Sequence, residues 1–132
     1  MPKKTKPEAI LAMEAPAQPY SPCVQIGDHF HFSGVVAVDE HKQPDGDAKD
    51  QIVKVLGKMI DLLIACDLST NDVYSTTVLF AGDMKNFAYL NDRWNIAFGP
   101  CKIKPRRKAF AVAALPFGCA VEIEFDAVRQ SE

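Results

Sequence analysis

Arg107 and Glu122 are the two residues of this chain whose side chains best fit chemistry on a small acid. A guanidinium fork binds a carboxylate through two parallel hydrogen bonds, and such charge-assisted pairs are about twice as strong as neutral hydrogen bonds. A neighbouring glutamate can position a water molecule or take a proton from it. Together the two side chains could bind a carboxylate substrate and assist the attack of water on it.

Both residues lie in residues 105–126, which the pattern predicts to be a β-hairpin. Its strands would run over residues 108–115 and 119–125, and the Pro116-Phe117-Gly118 segment between them has typical turn residues. An antiparallel hairpin can bring a guanidinium on one strand and a carboxylate on the other to the same surface. The hairpin is therefore the element expected to position the site.

The second strand of this hairpin alternates in polarity. Val121, Ile123 and Phe125 would share one face, whereas Glu122 and Glu124 would share the other. A row of carboxylates on a strand is also typical of the solvated side of a half-buried sheet. The pattern alone therefore leaves a structural and a functional interpretation of the two glutamates open.

The charge balance argues against a protein whose main partner is nucleic acid, because the net charge is −2. One local exception is a short basic run made of Lys102, Lys104, Arg106, Arg107 and Lys108. This run could be an anion-binding or nucleic-acid patch, or a solvated loop that leads into a strand. The solvated loop is the preferred interpretation for every member except Arg107.

The cysteines and histidines do not form a recognisable metal motif. Four cysteines occur without CxxC spacing and without histidines at zinc-ligand intervals. His29 and His31 would share one strand face without a third ligand, so we interpret them as exposed strand residues. The sequence shows no signal-peptide pattern, and no apolar run approaches the length of roughly 20 residues that a membrane span needs. The chain is therefore expected to be cytoplasmic, with reduced thiols and without a membrane partner.

Length and composition are those of one ordinary globular domain over residues 1–132, with 48% hydrophobic and 24% charged residues. Residues 1–19 contain four prolines and are predicted to be an irregular or partly extended N-terminal arm. The following pattern predicts strands at 23–26 and 30–37, a helix at 47–66, a strand at 72–80, and a helix capped by Asp83, before the hairpin. This β-β-α-β-α-β-β order predicts an α+β fold with two helices on one face of a mixed sheet.

Several short motifs, in this order, resemble those of the Rid family, the YjgF-type reactive-intermediate deaminases that are also known as endoribonuclease L-PSP. The resemblance covers about residues 15–128. The motifs are Pro19-Tyr20-Ser21, Phe32-Ser33-Gly34, Phe87 to Asn91, Pro105-Arg106-Arg107, Leu115-Pro116 and Val121-Glu122-Ile123-Glu124.

This resemblance implies a chorismate-mutase-like fold and a homotrimer whose sheets meet around a central barrel, with sites in the clefts between subunits. It implies hydrolysis of reactive 2-imino or enamine acids to 2-keto acids and ammonia, without a metal or an organic cofactor. Arg107 would bind the substrate carboxylate, and Glu122 would orient the attacking water. Tyr20, Ser33 and Asn91 would complete the pocket.

Two other functions remain open. The endoribonuclease name fits the basic run, although the sequence offers neither a histidine pair nor an acidic metal site for phosphodiester cleavage. A regulatory protein that binds a small carboxylate without turnover would use the same Arg107. The Rid pattern often has Gln at the positions of Pro22 and Val35 and Cys at the position of Ala109, and these departures put the substrate range in doubt. The basic neighbours Arg106 and Lys108 could favour a more acidic ligand.

Overall fold

The computed structural model describes residues 2–13 and 18–131, which form a mixed six-stranded sheet and its helices. The α+β class with a mixed sheet, as predicted from the sequence, is confirmed. The elements in chain order are β1 (Lys4–Thr5), α1 (Glu8–Leu11), β2 (Cys23–Ile26), β3 (His29–Val35), α2 (Ala48–Ala65), β4 (Val73–Ala81), α3 (Phe87–Phe98), β5 (Arg106–Val112) and β6 (Val121–Val128).

The strands lie in the order β1-β2-β3-β6-β4-β5, and the β4–β5 pair is parallel while the other pairs are antiparallel. The predicted hairpin is therefore wrong, because β4 lies between β5 and β6. The physical reason is that β4, α3 and β5 form a β-α-β unit, in which a helix carries the chain back to start a parallel strand. The turn at residues 116–118 then leads the chain across β4 to its other side.

The alternation predicted for β6 is confirmed. Val121, Ile123 and Phe125 are buried against the core that α2 and α3 cover, whereas Glu124 is exposed. We call the side of the sheet that carries Glu122 and Glu124 the open face. The opposite side is the helix face.

Helix α2 forms where the sequence predicted it. Its N-terminus is closed by a capping box: the backbone N–H of Asp50 donates to the Asp47 side chain at 2.9 Å, and the N–H of Asp47 donates to the Asp50 side chain at 3.1 Å. The helix ends at Cys66, and Asp67 follows in the left-handed region with φ 57°. Its apolar stripe, with Ile52, Val55 and the residues after them, packs into the core.

The N-terminal arm is more ordered than predicted. Lys4 and Thr5 extend the sheet by pairing with β2, and Ile10 of α1 is fully buried in the core. The extended residues Lys4 and Thr5 therefore agree with the prediction, whereas the short helix α1 does not, because the buried Ile10 docks this segment on the core. Residues 1 and 14–17, also part of the predicted arm, lie outside the described residues.

Two local predictions in the middle of the chain also need correction. The N-cap of α3 is Asn86, because the Asp83 carboxylate instead accepts a hydrogen bond from the Lys85 N–H at 3.0 Å in the preceding turn. In β4, alternation along the sequence predicts one face made of Val73, Ser75, Thr77 and Leu79, but a register shift between Val73 and Ser75 changes which side chains share a face. From that shift onward the buried residues are Thr76, Val78 and Phe80 rather than their neighbours.

None of the helices in the described ranges has the length and apolar character needed to cross a bilayer.

Candidate functional site

Arg107 and Glu122 lie on opposite faces of the sheet within one protomer. On β4, Thr76 is the partner of Arg107 and Leu79 is the partner of Glu122. Side chains alternate along a strand, so positions three residues apart point to opposite sides. Arg107 therefore lies on the helix face and Glu122 on the open face, and the surface that the hairpin was expected to give them does not exist within one chain.

The guanidinium of Arg107 packs against two aromatic rings of α3. Its central carbon lies 5.3 Å from the ring centre of Phe87 and 5.0 Å from that of Trp94. Both distances are within the range of cation–π attraction. The rings hold the positive charge in place without neutralising it.

The environment of Arg107 suits a guanidinium that binds an anion. Within residues 2–13 and 18–131, no carboxylate and no hydrogen-bond acceptor pairs with it. Burial lowers the pKa of Arg107. Guanidinium groups in proteins nevertheless stay protonated at neutral pH. The side chain borders a cavity of about 390 Å³ that Asn91 and Lys104 also line. We call this cavity the arginine pocket.

Glu122 borders a different cavity of about 400 Å³ on the other side of the protomer. Tyr20 and Ser33 line the same cavity, which we call the glutamate pocket. The Glu122 carboxyl group lies directly over the Cα of Gly34: a Cβ at Gly34 would come within 2.7 Å of the Glu122 carboxyl carbon. The pKa of Glu122 is raised mainly by burial and, to a smaller extent, by the nearby charge of Glu124.

Ser33 has backbone and side-chain contacts that fix its place in the glutamate pocket. Its hydroxyl donates to the Ser21 carbonyl at 2.6 Å, and its N–H donates to the Pro22 carbonyl at 2.9 Å. The hydroxyl oxygen can still accept a hydrogen bond from a ligand. Tyr20 is 55% exposed and can close over the same space or contact a second molecule.

The structure thus divides the five predicted site residues into two groups. Asn91 and Arg107 line the arginine pocket, while Tyr20, Ser33 and Glu122 line the glutamate pocket. One protomer brings the members of each group together but does not bring the groups to each other.

Sequence reasoning missed Phe117, which also lines the glutamate pocket. Phe117 adopts a positive φ of 62° and is 53% exposed, both unusual for a large aromatic residue. The only sequence signal was the turn composition of residues 116–118, which predicts a turn but not what its central side chain contacts.

The basic residues next to Arg107 in the sequence were expected to lie around it, but most of them do not. Arg106 and Lys108 alternate with Arg107 along β5 and therefore lie on the open face, where the Arg106 Nε–H donates to the Ser75 hydroxyl at 3.0 Å. Lys104 is the member of the run that shares the arginine pocket. The expectation that Arg106 and Lys108 make the site more basic is wrong for a single protomer.

No group of three or more His, Cys, Asp or Glu side chains within the described ranges is arranged to hold a metal ion. His29 and His31 share the open face, as predicted. The Nδ1 atom of His31 lies 3.0 Å from an Asp126 carboxylate oxygen, and that of His29 lies 3.4 Å from the Tyr74 hydroxyl.

Comparison with known proteins gives one consistent family. The profile of the family described as "Endoribonuclease L-PSP" matches residues 11–129. A 2-iminobutanoate/2-iminopropanoate deaminase of Mus musculus is 35% identical over 126 residues, which cover 92% of this chain and 91% of the mouse protein.

Solved structures agree with the sequence relatives. The Rid-family protein YyfA of Yersinia pestis superimposes with a TM-score of 0.83 at 26% identity, covering 96% of this chain and 100% of YyfA. TdcF of E. coli, solved with bound serine, gives a TM-score of 0.76 at 30% identity, covering 86% of this chain and 90% of TdcF. From its sequence and its fold alike, the chain belongs to the Rid family, also known as the endoribonuclease L-PSP family.

Proposed function

We propose that this protein hydrolyses reactive 2-imino or enamine acids to 2-keto acids and ammonia, at clefts formed between copies of the chain. The observation that carries the proposal is the Arg107 guanidinium, which two aromatic rings hold beside an open cavity and which no carboxylate of the described residues neutralises. Such a group fits the carboxylate of a small acid. The deaminase names of relatives such as the mouse protein supply the reaction class.

The assembly follows from the separation of the two pockets. A complete site needs both Arg107 and Glu122, and one chain holds them on opposite faces of the sheet. We propose that the arginine pocket of one copy meets the glutamate pocket of the next. Contacts between two different surfaces form closed rings when the rotation between copies closes. A ring of three, the homotrimer that the family resemblance implies, would contain three equivalent clefts.

Exposed apolar residues on the open face support burial of this surface between copies. Phe110 of the edge strand β5 is 47% exposed, and Ile26 of β2, next to the other edge strand, is 39% exposed, so large apolar side chains lie toward both ends of the open face. In addition, β5 is an edge strand, which natural proteins commonly cover or pair. An interface across this face would remove both features from solvent.

The proposed reaction uses groups from both pockets. Arg107 and Asn91 of one copy would bind and orient the substrate carboxylate, and Tyr20 and Ser33 of the next copy would contact the rest of the molecule. Holding a reactive imine next to one ordered water supplies mainly proximity and orientation, which suffice for a reaction that is already easy.

Glu122 would move the protons of the reaction. Its carboxylate accepts a proton from the water as the water oxygen bonds to the imine carbon, and then passes that proton to the nitrogen. The product of this addition carries a hydroxyl and an amino group on the same carbon. The Glu122 carboxylate then takes the hydroxyl proton and passes it to the nitrogen as the carbon–nitrogen bond breaks, so that the carbonyl of the 2-keto acid forms and ammonia leaves. The raised pKa of Glu122 suits a group that must both take up and release a proton near neutral pH.

The direct test is ammonia release from 2-aminoacrylate and from the imine of alanine by purified variants. Arg107→Ala should abolish hydrolysis, whereas the matched control Arg93→Ala, on α3 and outside the arginine pocket, should leave hydrolysis unchanged. Glu122→Gln should lower kcat more than it raises KM. Full activity in a folded Arg107→Ala variant would reject the proposal.

A further inference from the structure

The glutamate pocket continues into a second cavity of about 390 Å³, which we call the chamber. Five residues line both spaces: Tyr20, Ser33, Gly34, Val36 and Phe117. The chamber extends from there between the end of β3 and one face of α2, where Leu62 forms part of its wall. A ligand bound next to Glu122 can therefore extend from the glutamate pocket into the chamber.

The wall of the chamber is mainly apolar. Pro22, Val35, Val38 and Leu62 contribute to it, and Val35 is also packed against the core and is therefore held in place. The polar side chains that line it are those of Gln18, Tyr20, Ser33, Lys58 and Asp61. The Lys58 amine already donates to the Val36 carbonyl at 3.1 Å, and Asp61 is exposed. A cavity of this volume and character is typical of small-molecule pockets.

Pro22 and Val35 are 13 positions apart in the sequence, yet the structure places both in the wall of the chamber. Neither side chain carries a polar group that would need a hydrogen-bond partner in such a space. The chamber of this chain therefore favours apolar ligand atoms.

We infer that the chamber binds the substrate side chain and selects 2-imino acids with a bulky apolar side chain over those of alanine or serine size. This inference rests on the proposed function, because the imine carbon must lie next to Glu122 for the side chain to reach the chamber. A hydrophobic pocket discriminates by about tenfold or more for each methylene that it buries. The imine of leucine, with three more carbons than that of alanine, should therefore have a kcat/KM at least about tenfold higher.

The test measures kcat/KM for the imines of leucine, phenylalanine and alanine, each produced in the cuvette by an amino acid oxidase, and for 2-aminoacrylate. In Val35→Gln the ratio of the leucine to the alanine value should fall by about tenfold, since the amide fills apolar space and must be desolvated. Pro22→Gln is the second variant in case Val35→Gln folds poorly, and it keeps the carbonyl that accepts the Ser33 N–H. Val53→Gln, at an exposed position of α2 outside the chamber, is the matched control and should leave the ratio unchanged.

The outcomes separate this inference from the proposed function. Hydrolysis of small and large imines at equal kcat/KM, or an unchanged ratio in both folded variants, would overturn the role of the chamber and leave the deaminase proposal intact. Absence of hydrolysis with every imine, including 2-aminoacrylate, would overturn both. A leucine preference that Pro22→Gln or Val35→Gln reduces and Val53→Gln does not would support the inference.

Discussion

Gly34→Ala should displace the Glu122 carboxylate and little else. An added Cβ would lie 2.7 Å from the carboxyl carbon of Glu122 and 3.0 Å from its Cγ. Carbon atoms at rest are separated by at least about 3.5 Å, so the carboxyl carbon must move by roughly 0.8 Å. Because the displaced atoms are the free end of a flexible side chain, the fold should tolerate the change.

A shift of this size matters for catalysis. A misplacement of about 1 Å can cost roughly a hundredfold in rate when a group must be aligned with its substrate. We therefore expect kcat/KM for 2-aminoacrylate to fall by about 10- to 100-fold in Gly34→Ala, with a melting temperature close to that of the original chain. Steady-state kinetics and thermal unfolding on the same preparation measure both quantities.

Gly57→Ala is the matched control. Gly57 lies within α2, and apart from its chain neighbours and the nearby backbone of the helix no atom lies within 4 Å of where its Cβ would be placed. This variant should keep full activity and gain about 1 kcal/mol of stability from the better helix propensity of alanine. The same chemical change therefore has opposite consequences at the two positions.

A double variant shows whether the loss at Gly34 acts through Glu122. If it does, Gly34→Ala combined with Glu122→Gln should be no slower than Glu122→Gln alone, because the two changes disable the same group. Additive losses would mean that Gly34 acts through another contact. Unchanged kcat/KM in a folded Gly34→Ala variant would refute the role given to the Glu122 position.

Two further predictions concern stability. Burial and Glu124 raise the pKa of Glu122 in the folded state, so the cost of ionising this carboxyl begins above the ordinary carboxyl pKa and is complete above the folded pKa. Glu122→Gln should therefore raise the melting temperature at pH 7. The gain should vanish on acidification below the ordinary carboxyl pKa, as a thermal-melt series over pH would show. The buried Gln51 amide donates to the Gly46 carbonyl at 2.9 Å and accepts from the Ala120 N–H at 2.8 Å. Gln51→Ala would leave that N–H without a partner and should lower the free energy of unfolding by about 2–4 kcal/mol in urea titrations. A loss below about 1 kcal/mol would contradict this.

Local patterns in the sequence predicted the local structure well. The helical repeat after Asp47 gives α2, and the alternation in residues 121–125 gives the two faces of β6. Both depend on the contrast between buried and exposed side chains within one element, and that contrast is present in the sequence.

The pairing of the strands could not be read from the same patterns. The turn at residues 116–118 is real, but a turn signal does not say which strands it joins side by side, and here β4 lies between them. Placing Arg107 and Glu122 on one surface depended on that pairing, so the site geometry was wrong although the residue types fit. Phe117 was missed for the same reason, since its place in the glutamate pocket depends on the tertiary path of the chain.

The central claim is that one active cleft combines Arg107 of one copy with Glu122 of another. Arg107→Ala and Glu122→Gln chains, each inactive alone, can be coexpressed with different tags and purified through both tags. In every mixed ring of three, one cleft joins an intact Arg107 to an intact Glu122, so we expect about a third of the original activity. Mixed oligomers that stay inactive, or a protein that remains monomeric in solution, would contradict the account.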